Sequence, residues 1–286
     1  MRSALPRLGI VCFIHLVSAY AARCDDASNA ETKFRQARAY LRGNGVPVDV
    51  TKAFHLMKEA AAEGHPEALG GLGYFYAAGI VVPKDEIQAA AWFRKGAEKG
   101  AAKAQLNLGK IIAEGRGVPK DEDEGRKWIE RAAAQQLPEA VYAVGQMHFF
   151  GQYGVPVDHR AAFPHFRKAA EEGNAGAQNI VGVMFRDGLG MANNPGEAER
   201  WFRNAAEQND PKAQSNLAHL LGVEEKNDER RREALTWLIL AAEQSEATAA
   251  RTWDEIVPAL SAEDIAEARK RAAEFKARVE TRQRTK

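Results

Sequence analysis

The chain has 286 residues, with 40 Lys and Arg against 39 Asp and Glu and a formal net charge of +1. That balance excludes the global basic field of a nucleic-acid binder. Charged residues at 28% and aromatic residues at 8% are ordinary for a water-soluble protein.

Residues 1–22 read as a secretory signal. Arg2 and Arg7 supply a positive start, Leu8 to Ala19 is mostly apolar, and Ala19-Tyr20-Ala21 fits an A-x-A cleavage rule. The apolar run falls short of the roughly 20 residues that span a bilayer, which favours cleavage over an uncleaved anchor. Arg23 argues against lipid attachment at Cys24, because a lipoprotein signal has a small residue there. The expectation is an exported protein, periplasmic or secreted, with no membrane span in the mature chain. Cleavage removes Cys12 and leaves Cys24 as a lone thiol in a polar leader, residues 23–31, so no internal disulfide forms.

From residue 32 to 248 the sequence repeats itself. Gly73, Gly109 and Gly145 stand 36 residues apart, Gly182 follows after 37, and Ala37 and Ala218 extend the series. A small residue opens most units: Thr32, Ala68, Ala104, Ala140, Ala177 and Ala213. A large one recurs later: Leu56, Trp92, Trp128, His165, Trp201 and Trp237. Six copies at a period in the 20–50-residue range are the signature of a solenoid.

Each unit reads as two antiparallel helices. Ala104, Leu108 and Ile112 share one face by their spacing of four. Gly109 costs a helix about 1 kcal/mol against Ala, so its recurrence points to close backbone packing. Gly115 and Gly117 suit a loop, Pro119 cannot continue a helix, and Asp121 is placed to cap the second helix. Its counterparts are Asp49, Asp85, Asp158 and Asn194. Trp128, Ile129 and Ala132 form the second apolar stripe. The position after it, Gly64, Gly100, Gln136, Gly173, Asn209 and Ser245, suits a left-handed cap where it is Gly or Asn.

The copies differ in detail. Ser28 and Glu31 form a capping-box pattern before the first. The second has Ile80-Val81-Val82 where Gly-Val is usual. The fourth gains a residue in Gly151-Gln152-Tyr153-Gly154 and places Pro164 inside its second helix, which predicts a lost hydrogen bond and a kink. There Phe163 and Phe166 refill the space of the missing Trp. The sixth loses its loop glycines between Gly222 and Asp228.

Residues 249–286 read as capping helices and a basic tail. Trp253, Ile256, Val257 and Leu260 can cover the last open apolar face. After Pro258, Ile265, Ala268, Ala272, Phe275 and Val279 make a one-sided stripe, as expected of an element that shields a solenoid end. From Arg269 to Lys286 there are basic residues at 269, 270, 271, 276, 278, 282, 284 and 286, against Glu274 and Glu280. This is either a solvated cap helix or a contact for an anionic surface.

Gly109, Gly115-Arg116-Gly117-Val118-Pro119-Lys120-Asp121 and Trp92-Phe93-Arg94-Lys95-Gly96-Ala97-Glu98-Lys99-Gly100 resemble the motifs of the Sel-one-like repeat family, a relative of the tetratricopeptide repeat. The resemblance covers about residues 30–250. It implies an all-α, right-handed superhelical solenoid of about six helix-turn-helix repeats with a C-terminal capping helix. It also implies an adaptor that holds another protein. Cysteine-rich relatives associated with β-lactams carry a disulfide in each repeat; this chain has none, so that chemistry does not carry over.

By analogy with the tetratricopeptide register, first helices line a concave groove. The candidates are Tyr74, Leu106, Lys110, Tyr142, Gln146, Phe149, Asn179, Val183 and Arg186, with the aromatic residues as anchors and the cations for orientation. Leu106, Phe149 and Val183 have packing between repeats as an equal alternative.

No enzyme chemistry is encoded. The seven histidines include no H-x-x-x-H pair, and there is no cysteine pair, phosphate loop or G-x-S-x-G elbow. Hence no catalytic residue, metal or cofactor is expected. The partner is another protein, not a nucleic acid. The alternatives are a small-ligand-binding or cell-wall-acting protein and a linker tethered by its tail to a polyanion or membrane.

Overall fold

The structure is a computed structural model that describes residues 29–222, 227–256, 258 and 260–284. The signal segment, most of the leader, Ser28, Val257 and the loop 223–226 therefore lie outside it. The described residues form fourteen helices and no strand. The chain divides into two compact units, one up to Ala140 and one from Val141 onward.

The first unit holds α1 (29–42), α2 (Val50–Ala62), α3 (Pro66–Ala78), α4 (Glu86–Glu98), α5 (Ala102–Glu114) and α6 (Glu122–Ala134). Odd-numbered helices open a repeat and even-numbered ones close it. α3 packs on α2, α4 and α5, and α5 on α4 and α6. The division falls within α7 (Pro138–Phe150). The second unit continues with α8 (His159–Glu171), α9 (Ala175–Asp187), α10 (Pro195–Ala206), α11 (Pro211–Leu221), α12 (Asp228–Glu243), α13 (Ala247–Ile256) and α14 (Ala262–Arg284).

The caps are where the spacing places them. Asp49, Asp85, Asp121, Asp158 and Asn194 each precede a second helix and accept first-turn N–H groups, as in Glu124 N–H to Asp121 at 2.8 Å. This satisfies donors that a helix start otherwise leaves open. All six positions after the second helices take positive φ, from 61° at Ser245 to 92° at Gly173.

The recurring glycine is a contact point. A Cβ on Gly109 would lie 2.6 Å from the Gly125 carbonyl oxygen and 2.7 Å from Ile129 Cγ1. On Gly73 and Gly182 it would meet the rings of Phe93 and Phe202 at 2.6 Å. Each glycine lets the second helix lie against the first. The side chain it admits stands one place after the marker Trp or His: Phe93, Ile129, Phe166 and Phe202 are fully buried, whereas Trp92, Trp128 and His165 are only partly so. Phe166 fills the core of the fourth repeat, and α8 is one continuous helix through Pro164.

Polar side chains join neighbouring repeats. The buried Gln105, Gln178 and Gln214 donate to the carbonyls of Ala97, Ala170 and Ala206 in the preceding helix. They accept from Gln135, Gln208 and Gln244, each thirty residues on. One amide thus ties three helices together, adding a second donor to a helix-end carbonyl that already accepts a backbone N–H. In a second ladder, Arg94 bonds Glu124, whose carboxylate also accepts from the Trp128 indole; Arg203, Glu233 and Trp237 repeat it.

α14 closes the end of the second unit. Ala268, Ala272 and Phe275 are buried against α12, with Val279 partly so. Asp264 accepts from Arg231 at 3.0 Å, Arg232 at 2.8 Å and the Ser261 hydroxyl at 2.8 Å. Arg271 grips Glu229 through two bonds, at 2.7 and 2.9 Å, and Lys276 reaches Glu243 at 2.9 Å. Part of the basic stretch is therefore engaged on the protein's own α12.

Candidate functional site

In the first unit, α1, α3 and α5 present the same face in three successive repeats. Equivalent positions read Arg38, Tyr74 and Lys110, and one turn earlier Phe34, Gly70 and Leu106. The face carries a pocket of about 450 Å³. Its walls include Phe34, Arg38, Arg42, Tyr74, Lys103 and Asn107. Gly70, Gly71 and Ala104 form its floor.

Small residues clear the floor because they also bring the helices together. A Cβ on Gly70 would lie 3.1 Å from Ala104 Cβ, and one on Gly71 would lie 2.8 Å from the Met57 sulfur. The middle helix therefore offers bare backbone, while larger side chains rise on either side. Tyr74 is 58% exposed, so its ring does no packing work in the core. α5 starts at Ala102 with no side-chain cap on its first N–H groups.

The charges around the pocket are mostly positive. Arg38 and Arg42 are exposed and form no ion pair among the described residues; Arg38 sits 5.7 Å from the Phe34 ring centre. Lys103 lies 3.8 Å from Glu139, a loose contact. Lys110 is partly buried and falls on the Lys103–Asn107 face of α5 by its spacing. The one acid in the lining, Glu67, stands near the start of α3, 3.4 Å from His65 Nδ1. His65 stacks on Phe34 at 4.5 Å, accepts from Ala68 N–H through Nδ1, and faces Glu31 with Nε2 at 2.8 Å. That hydrogen bond draws the Glu31 carboxyl below its usual range.

The other expected residues are placed differently. Leu106 is 6% exposed and belongs to the interior. In the second unit, Tyr142 is partly buried and meets Phe166 edge-on at 5.4 Å; burial first, then the Asp210 charge, raises its phenol pKa. Phe149 packs among Phe150, His159 and Phe166 at 4.9, 4.7 and 5.7 Å. Gln146 is partly buried, as is Val183, which packs against the α10–α12 core. Asn179 is buried and accepts from Asn216 at 2.8 Å. Arg186 is held by Asp187 at 2.7 and 2.8 Å and donates to Asn216 at 3.0 Å.

Of the nine expected residues, Tyr74 lines the first-unit pocket and Lys110 shares the face of α5 that borders it. Phe34, Arg38, Arg42, Lys103 and Asn107 were not among them. The signal was present: stepping back 36 residues from Tyr74 gives Arg38. A second cleft, of about 550 Å³, opens in the second unit between α12 and α14, with Trp237, Leu240 and Phe275 in its lining. His148 and His165 stack at 6.2 Å, and burial, then the His148 charge, lowers the His165 pKa. Among the described residues no three His, Cys, Asp or Glu side chains come together to hold a metal, and no helix is long and apolar enough to cross a membrane.

The Sel1 repeat family matches the chain six times in succession, over 34–65, 66–100, 102–137, 138–174, 175–210 and 211–246. The chain belongs to the Sel1 repeat family. Sel1 repeats generally serve as non-catalytic scaffolds for protein interaction. This Sel1 repeat protein is similar in structure to c5321, described as a protective antigen of uropathogenic Escherichia coli with this fold. The TM-score is 0.71 and the identity 29%, over 88% of this chain and 55% of that one. It is also similar to a Sel1 repeat protein from Oxalobacter formigenes, with TM-score 0.65 and 27% identity, over 76% of this chain and 86% of the other. In sequence it is 37% identical to an uncharacterised Neisseria meningitidis protein, over 30% of this chain and 17% of that one. It is 33% identical to the chitin synthase regulator SKT5 of Malassezia restricta, over 31% of this chain and 6% of that one. The matched stretch thus spans under a fifth of these two curated relatives.

Proposed function

We propose that this Sel1 repeat protein is an exported scaffold that holds a segment of another protein on the α1, α3 and α5 face of its first unit. The observation that carries the reading is the pocket itself. An exposed tyrosine and two arginines with no ion pair among the described residues stand over a floor of backbone and alanine methyl groups. Aromatic and arginine side chains contribute most to protein recognition, because each offers a large contact area with a polar end. A floor of backbone and methyl groups accepts a chain lying across it. Similarity to a protein named as a regulator, SKT5, supports holding a partner rather than converting a substrate. The action of the protein in the cell envelope rests on the signal-like residues 1–22.

The α12–α14 cleft favours a second reading, a small apolar ligand, since its volume falls in the range of small-molecule sites. A tether through the basic tail has less support, because Arg271 and Lys276 are already paired to α12.

Photocrosslinking in the native host tests the main reading. A benzophenone amino acid replaces Tyr74 in one chain and the exposed Lys58 of α2 in another. A discrete protein adduct from position 74 and none from 58 is expected. Equal adducts from both, or adducts from 58 alone, refute the site. Mass spectrometry of the N-terminus checks export: an envelope fraction should contain chains starting just after Ala19-Tyr20-Ala21. An intact Met1 confined to the cytoplasm refutes it.

A further inference from the structure

We infer that the first-unit pocket selects an acidic peptide, an extended segment with carboxylates at positions i and i+2 flanking an apolar residue. The inference rests on the proposed docking face and names the chemistry of what docks there. Arg38 and Arg42 are one helical turn apart on α1, so their Cα atoms are separated by about 6 Å. In an extended strand, residues i and i+2 point the same way and are spaced about 6.6–7 Å. The two spacings match. A peptide lying along α1 turns alternate side chains toward the two arginines, and each guanidinium fork can take a carboxylate through two parallel bonds.

The intervening side chain turns the other way, toward the exposed ring of Tyr74 and the floor of Gly70, Gly71 and Ala104. It finds apolar contact there without displacing a protein side chain. Charge is sorted along the pocket. Arg38 is level with Tyr74 and Lys110 in the repeat register, and Arg42 lies a turn beyond. The single acid in the lining, Glu67, is at the opposite end, level with Lys103 in the repeat register. An acidic segment therefore meets unpaired cations where its carboxylates fall. Among the described residues Arg38 and Arg42 hold no carboxylate within ion-pair distance, so their donors are open to a ligand, although the Arg38 charge is also felt by Glu31 of the same helix; Arg186 in the second unit is already occupied by Asp187.

Peptide display on the full chain tests this. A random twelve-residue library is selected against the parent and against Arg38→Gln/Arg42→Gln, both exposed positions whose folding is checked by circular dichroism. The best binder is then measured by fluorescence anisotropy beside its isostere with Asn and Gln for Asp and Glu. Expected are sequences enriched in acidic residues at i and i+2, an isostere at least tenfold weaker, and loss of that preference in the double variant. Binding should fall as salt rises. Neutral or basic binders that ignore Arg38→Gln/Arg42→Gln but are lost with Tyr74→Ala overturn the acidic chemistry and leave the docking face standing. Binders indifferent to all three changes, or no binder at all, overturn the inference; the crosslinking from position 74 then decides whether the face falls with it. Binding of heparin fragments in place of any peptide overturns the inference in favour of a polyanion.

Discussion

Replacing Gly109 with Ala should destabilise the first unit, although alanine is the better helix former. The new Cβ would sit 2.6 Å from the Gly125 carbonyl oxygen, 2.7 Å from Ile129 Cγ1 and 3.0 Å from Ile129 N. Two of those three atoms are backbone of α6, so no rotamer change relieves the contact. The helices must part, and the buried Leu108, Ile112 and Ile129 then lose contact. Overpacking of this kind costs about 1–3 kcal/mol. A backbone clash belongs at the upper end, near 3 kcal/mol by that range. Alanine returns about 1 kcal/mol through helix propensity. The net is roughly 2 kcal/mol of destabilisation, a factor of about 30 in the folding equilibrium. The control is Gly176→Ala in α9, where the nearest atoms, Asn174 Oδ1 and Tyr142 Oη, stand at an ordinary 3.4 Å. There the same change should be neutral or stabilise by up to about 1 kcal/mol. Urea unfolding followed at 222 nm and by tryptophan fluorescence separates the two. A Gly109→Ala protein as stable as the parent would refute the argument that glycine recurs there because the helices touch.

Three further outcomes follow from particular contacts. Asp264 is held at about 2 by its hydrogen bonds to Arg232 and Ser261 and, against burial, by Arg231, below a usual value of 3.8. A depressed carboxyl contributes stability that is present above its unfolded pKa and lost as pH falls through its folded one. The stability difference between the parent and Asp264→Asn should therefore be full at pH 7 and shrink between about pH 4 and 2; thermal melts showing a constant difference would contradict it. Gln214→Leu should cost about 0.5–1.5 kcal/mol in urea unfolding, because the Ala206 carbonyl and the Gln244 amide each lose one bond while keeping others, to Asn209 N–H and to Asn209 Oδ1 and the Leu240 carbonyl. An unchanged midpoint would mean that the ladder contributes nothing. Tyr74→Ala should shift stability by less than about 0.5 kcal/mol, as exposed substitutions do, yet abolish peptide binding; a large drop in melting temperature would make Tyr74 a core residue instead.

The repeat, its register and most of its local chemistry are legible in the linear sequence. The 36-residue step, the capping Asp and Asn positions and the left-handed Gly and Asn after the second helices are local properties. Each depends on one residue's own side chain and backbone, so spacing alone reveals it. Gln136 and Ser245 take the same backbone without that signal. The close approach at Gly109 was also legible, since a costly glycine repeated inside helices needs a packing reason. Packing between helices assigns each side chain its face. Trp92 and Trp128 lie partly exposed while Phe93 and Ile129 beside them fill the core, and Trp201 and Trp237 at the same register position are buried, because the packing of neighbouring helices, not residue size, selects the buried row. Leu106 goes inside and its repeat equivalent Phe34 lines the pocket, although they share a register position. Gln105 and Arg186 read alike as polar helix residues; the first bonds a neighbouring helix end and the second is held by Asp187 and Asn216. Among the described residues no acid comes within ion-pair distance of Arg38 or Arg42, and Glu31 feels the Arg38 charge only at longer range. Which cations remain free for a partner is therefore set by contacts between helices, and a linear sequence does not contain them.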